Sequence, residues 1–110
     1  MILELKIKQG EEILNTMPFD LQEYSYKIDV RGDQRQGFTL SRAIIEDALN
    51  LRTLEFYRII AEYVRDNTEI ICEIYLENNV IESFAPIRAS YYIEGVANGI
   101  TQIEYLELEY

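Results

Sequence analysis

The chain has 110 residues, with 20 acids against 10 bases and no histidine, for a net charge of −10. That length suits one domain around a single core, and so acidic a chain is excluded from phosphate-driven nucleic-acid binding and from attraction to anionic membranes. The missing histidine excludes Cys–His and Ser–His–Asp catalysis and histidine metal sites.

The N-terminal stretch MILELKIKQG carries no basic, long-apolar, small-residue signal pattern. No apolar run approaches the roughly 20 residues that span a bilayer. Cys72 is the single cysteine and can form no intramolecular disulfide. These features lead us to expect a cytoplasmic protein.

Ile2 to Lys8 alternates as a half-buried strand, with Leu3, Leu5 and Ile7 opposite Glu4, Lys6 and Lys8. Gly10 interrupts it. Glu11 to Met17 is expected as a short helical turn or loop that Pro18 ends. Gln22 to Val30 reads as the next strand, with Tyr24, Tyr26, Ile28 and Val30 on one face. RGDQRQG at 31–37 has turn composition, and its Arg31 and Arg35 are expected to pair with Asp29 and Asp33.

A helix is expected next, with Ser41 or Thr39 as its N-cap. Ile45, Ala48, Leu49, Phe56, Ile59, Ile60 and Tyr63 share a helical stripe, which Arg52 interrupts. Two readings stay open: one helix over 41–66, continuous from about Arg42 to Arg65, or a break near Asn50 with Thr53 capping a second helix. Asn67 and Thr68 end it either way.

Glu69 to Glu77 alternates again, and Asn78-Asn79 suits a two-residue hairpin turn because Asn tolerates positive φ. That turn pairs Leu76 with Ile81, Ile74 with Ser83, and Cys72 with Ala85. Cys72 then lies in the core, where a thiol behaves as a small inert hydrophobe. Pro86 marks a strand end or edge. Arg88 to Glu94 is a further strand, with Gly95 to Gly99 as its turn. A short turn there would set Ile93 against Glu104 and mix the two faces, so pairing Ile93 with Thr101 and Tyr91 with Ile103 is preferred. Ile100 to Tyr110 changes phase along its length, and a β-bulge near Tyr105 is expected to reconcile it.

The expected order is β-β-α-β-β-β-β. The corresponding fold is α+β: a single, largely antiparallel sheet with one long helix, continuous or broken, packed on one face. Residues 1–110 form one domain. Glu107 and Glu109 would oppose Lys6 and Lys8 if the terminal strands were neighbours.

Charge is uneven. Residues 1–65 hold eleven acids and nine bases, whereas residues 66–110 hold nine acids and one base, Arg88. The sheet face away from the helix would therefore present acids and aromatics, and interfaces favour aromatics ringed by polar groups. Partner-binding residues are expected at Glu69, Glu73, Tyr75, Glu77, Glu82, Phe84, Glu104, Glu107 and Glu109. No catalytic residue, metal or cofactor is expected.

The leading functional expectation is a non-enzymatic acidic binding protein or inhibitor. Its partner would be a basic protein surface, for instance a nucleic-acid-binding enzyme, as in a phage or mobile-element anti-defence protein that mimics nucleic acid. The alternatives are a homo-oligomeric assembly protein using the open sheet face or an edge strand at 100–110, as a homodimer or larger, and a toxin-neutralising immunity protein.

Overall fold

The computed structural model describes residues 1–44, 50–95 and 102–110. β1 (Ile2–Gln9) keeps the expected alternation, with Leu3, Leu5 and Ile7 fully buried. A two-residue turn at Gly10-Glu11, with Gly10 at φ +59°, returns the chain as β2 (Glu12–Asp20). This strand replaces the expected helical turn or loop. Pro18 sits within it, opposite Glu4. The sheet accommodates the proline because β2 is a terminal strand, where an absent N–H breaks no central ladder.

β3 (Tyr24–Val30) and β4 (Gln36–Ile44) make the second hairpin, around a short 3-10 turn at Gly32–Gln34. β4 corrects the expected helix at 41–66. Phe38, Leu40 and Ile44 have the same strand parity and are buried, and Ser41 lies in mid-strand rather than at a helix start.

Of the two helical readings, a start near Asn50 is the one found. α1 spans Leu51–Arg65, and Asn50 caps it, its Oδ1 accepting from the N–H groups of Arg52 (3.1 Å) and Thr53 (3.3 Å). Thr53 is buried rather than capping. The core-facing side of α1 is Thr53, Phe56, Tyr57 and Ile60, which leaves Arg52 exposed. Ile45, Ala48 and Leu49 lie outside the described residues. As expected, Asn67 and Thr68 close the helix. Asn67 takes φ +55°, with Asn67 N–H donating to Val64 O and Thr68 N–H to Tyr63 O, a Schellman closure.

β5 (Ile71–Leu76) and β6 (Asn79–Phe84) turn at Glu77-Asn78, one residue earlier than expected, with both turn residues at positive φ (48° and 71°). Leu76 therefore pairs with Asn79. After a bulge, Ile74 pairs with Glu82 and Cys72 with Phe84. A one-residue slip exchanges the two faces of a strand, so Phe84 is turned into the core.

β7 (Arg88–Gly95) and β8 (Gln102–Glu109) pair Ile93 with Glu104 and Tyr91 with Leu106. This is the register that the sequence reading set aside. β8 carries no bulge near Tyr105: its pairing is unbroken on both sides, and Glu104, Leu106 and Leu108 are all buried. The remainder of the expected Gly95–Gly99 turn, with Ile100 and Thr101, lies outside the described residues.

These hairpins make two four-stranded antiparallel sheets, ordered β2-β1-β5-β6 and β3-β4-β8-β7. The expected single sheet under a helix is thereby corrected. Each sheet joins one hairpin from before α1 to one from after it. β1 and β8 fall in different sheets, so Lys6 and Lys8 do not oppose Glu107 and Glu109. β8 is central in its sheet, so the expected edge strand at 100–110 is not an edge. One continuous core takes Leu3, Leu5, Ile7 and Phe19 from the first sheet and Phe38, Leu40, Leu106 and Leu108 from the second, and α1 adds Phe56, Tyr57 and Ile60. Phe19 ties the parts together, its ring 5.0 Å from Tyr24 and 6.2–6.3 Å from Phe56 and Tyr57. Among the described residues no helix is long and apolar enough to cross a membrane.

Candidate functional site

The outer faces of the two sheets point away from this shared core, so the nine expected partner-binding residues cannot lie on one surface. Glu73 and Tyr75 share the outer face of the first sheet. Register places Glu73 beside Lys6 on β1, and Lys8 Nζ reaches Glu73 at 3.5 Å. The Tyr75 hydroxyl donates to Glu73 at 3.0 Å. Lys6 lies 4.5 Å from the Tyr75 ring centre and 3.5 Å from Glu4. The face is mixed in charge, with its acids already opposed.

Glu107 and Glu109 share the outer face of the second sheet. Arg31 crosses that face, 3.3 Å from Asp29 and 3.6 Å from both Glu107 and Glu109. Gly37 makes room for it, since a Cβ there would sit 2.4 Å from Arg31 Nε. Arg35 and Arg88 approach Glu109 at 3.8 and 3.9 Å. The expected Arg31–Asp29 pair is therefore present, Arg35 reaches Glu109, and the side chain of Asp33 lies outside those described. Tyr92 stacks on Tyr105 at 5.0 Å and donates to Glu107 at 2.7 Å. That hydrogen bond, with burial and the Glu107 charge, pushes the Tyr92 hydroxyl up to about 12.

Three of the nine point elsewhere. Phe84 is buried and stacks on Tyr110 at 3.7 Å. Glu82 lies on the same side of β6 as Phe84. Burial first, and then Glu82, push the Tyr110 hydroxyl up to about 12. Glu77 is occupied at its turn, where its carboxylate accepts from Ile2 N–H at 3.0 Å.

Glu104 is a correction: it is fully buried and meets no partner surface. Its Oε1 lies 3.3 Å from Arg42 Nε across β4 and β8. The Arg42 guanidinium sits 5.5 Å from the Tyr24 ring centre, and the Tyr24 hydroxyl meets Thr53 Oγ1 at 3.3 Å. Burial raises the Glu104 pKa, and Arg42 pulls it partly back. This polar cluster joins β3, β4, β8 and α1 within the core. Cys72 behaves as expected, fully buried with its thiol pushed up to about 12 by that burial.

Glu69 remains, and it is exposed. It lines a cleft of about 660 Å³ where the end of α1, the start of β5 and the β6–β7 connection meet. Val64, Ile70, Ile71, Ala85, Pro86 and Ile87 supply apolar walls, with Gly10, Asn67 and Thr68 completing them. Glu69 is the only ionisable side chain among the described lining residues. The C-terminal end of α1 opens here as well, and a helix C-terminus favours cations. The cleft thus offers apolar contact with a negative rim, a combination suited to an amphipathic cationic group. Glu69 is among the residues expected from the sequence, whereas the apolar walls are not, because they come from three separate segments.

No protein-family model, curated protein or solved structure matches the chain.

Proposed function

We propose that this chain is a non-enzymatic binding protein that accepts a basic, apolar segment of a partner protein in the cleft beside Glu69. The observation that carries the reading is the composition of that cleft, apolar walls around a single carboxylate. The net charge of −10 supports it, since it draws cationic partners in by long-range attraction. Mimicry of a phosphate backbone by rows of free carboxylates fits less well, because Glu73, Glu107 and Glu109 are each already opposed by bases.

The test is fluorescence anisotropy with a labelled peptide of alternating leucine and arginine, beside its leucine–glutamate counterpart. The arginine peptide should bind and the glutamate peptide should not. Glu69→Lys should weaken binding by about tenfold or more, equivalent to about 1.4 kcal/mol, and Ile87→Ser should weaken it through lost apolar contact. Raising salt from about 0.05 to about 0.5 M should weaken it further. Equal binding by the native chain and Glu69→Lys would overturn the reading.

A further inference from the structure

β3 is the terminal strand of the second sheet, and among the described residues β4 is its only strand neighbour. Its pairing with β4 runs from Tyr24 to Val30 without a bulge. Tyr24, at the start of β3, meets Phe19 of β2 and Thr53 of α1, whereas Ile28 and Val30 further along are exposed. The opposite terminal strand, β7, differs in having α1 against it.

A regular, uncovered edge strand offers a full row of backbone donors and acceptors for strand addition. β3 adds apolar surface at the same place: Val30 is 79% exposed and Ile28 38%. Val30 is the most exposed of the large hydrophobic side chains described.

We infer that β3 pairs with β3 of a second copy of this chain, antiparallel about a two-fold axis through Ile28, so that one sheet continues across the two molecules. Charge complementarity selects the register: of those that pair residues of β3 only with one another, the one centred on Ile28 alone sets opposite charges face to face. A two-fold axis normal to the sheet keeps each residue on its own face and therefore passes through a residue rather than between two.

Centred on Ile28, the pairing sets Lys27 against Asp29 of the second copy, and reciprocally. Tyr26 then faces Val30 on the other side of the sheet. Centred on Lys27, it would set lysine against lysine. Centred on Asp29, it would set aspartate against aspartate and Lys27 against Arg31. Like charges directly opposed across strands destabilise pairing, and opposite charges favour it.

Lys27 therefore opposes the register centred on itself, which pairs the whole strand, and favours the one centred on Ile28. Within one chain, Lys27 and Asp29 Oδ2 are 3.9 Å apart, with the side chains 65% and 40% exposed, so that contact is weak, while Asp29 Oδ1 accepts from Arg31 Nε at 3.3 Å. The inference is independent of the cleft.

Sedimentation equilibrium of the full chain tests it. The native protein should dimerise as its concentration is raised toward about 1 mM. Lys27→Asp places acid against acid and should weaken dimerisation by at least about tenfold. Lys27→Asp combined with Asp29→Lys restores opposite charges and should restore the dimer. Asp29→Lys also alters the Arg31 contact, so a second variant checks register independently: Ile28→Cys should form an intermolecular disulfide on mild oxidation, and Lys27→Cys should form far less. A native chain that stays monomeric throughout, a dimer indifferent to Lys27→Asp, or equal cross-linking by both cysteine variants would each overturn the inference.

Discussion

Glu104 lies on the core side of β8 with Leu106 and Leu108, fully buried, and faces Arg42. Its raised pKa has a definite consequence for stability. The unfolded chain releases this proton at the ordinary carboxylate value, whereas the folded chain releases it at higher pH because burial opposes the charged form. Between those two values the folded state binds more protons, so this group's contribution to stability falls as pH rises through them. Glu104→Gln removes that titration. The native protein should therefore lose urea stability relative to Glu104→Gln as pH rises above the ordinary carboxylate range, by no more than about 1.4 kcal/mol per pH unit. A difference that is flat with pH, or that runs the other way, would show that Glu104 is not held in this environment. The clue was legible in the sequence as a phase change in β8. A bulge was the economical explanation because an acid on a core face is costly without a partner, and that partner, Arg42, lies 62 residues away.

The strands that escaped sequence reasoning did so for different reasons. β2 contains Pro18, which argues against a strand unless the strand is terminal, and terminal position is a property of the assembled sheet. β4 alternates at Phe38, Leu40 and Ile44, but Ser41 resembles a cap, and Ile45, Ala48 and Leu49 continue the helical stripe of α1. Pairing with β3 and β8 decides between the two patterns. β1, β3, the end of α1 and the presence of four strands after it were all legible, because their periodicity is unambiguous. The β5–β6 turn was legible only to within one residue, since Asn78 suits either placement. Two substitutions distinguish the placements. Asn78→Val puts a β-branched residue at φ +71° and should cost about 1–2 kcal/mol. Asn79→Val, at the first position of β6, should be nearly neutral, because β-branched residues suit strands. Equal losses at both positions, measured by thermal or urea unfolding, would favour the Asn78-Asn79 turn instead.

Across the whole molecule, folding offsets part of the charge asymmetry along the chain. Acids from the C-terminal part meet bases from the N-terminal part: Glu73 meets Lys8, Glu104 meets Arg42, and Glu107 and Glu109 meet Arg31. The topology causes this, because each sheet joins a hairpin from before α1 to one from after it. An acidic stretch in the sequence therefore did not become an acidic face. Glu69 is not among these pairs and lines an apolar cleft. The most direct test of that cleft as the partner site is amide chemical-shift mapping of the native chain titrated with the leucine–arginine peptide. Shifts should concentrate at Asn67–Ile71 and at Ala85 and Ile87, with the outer faces of both sheets unchanged. Shifts centred on Glu107 and Glu109, or spread evenly over the surface, would contradict a localised site at the cleft.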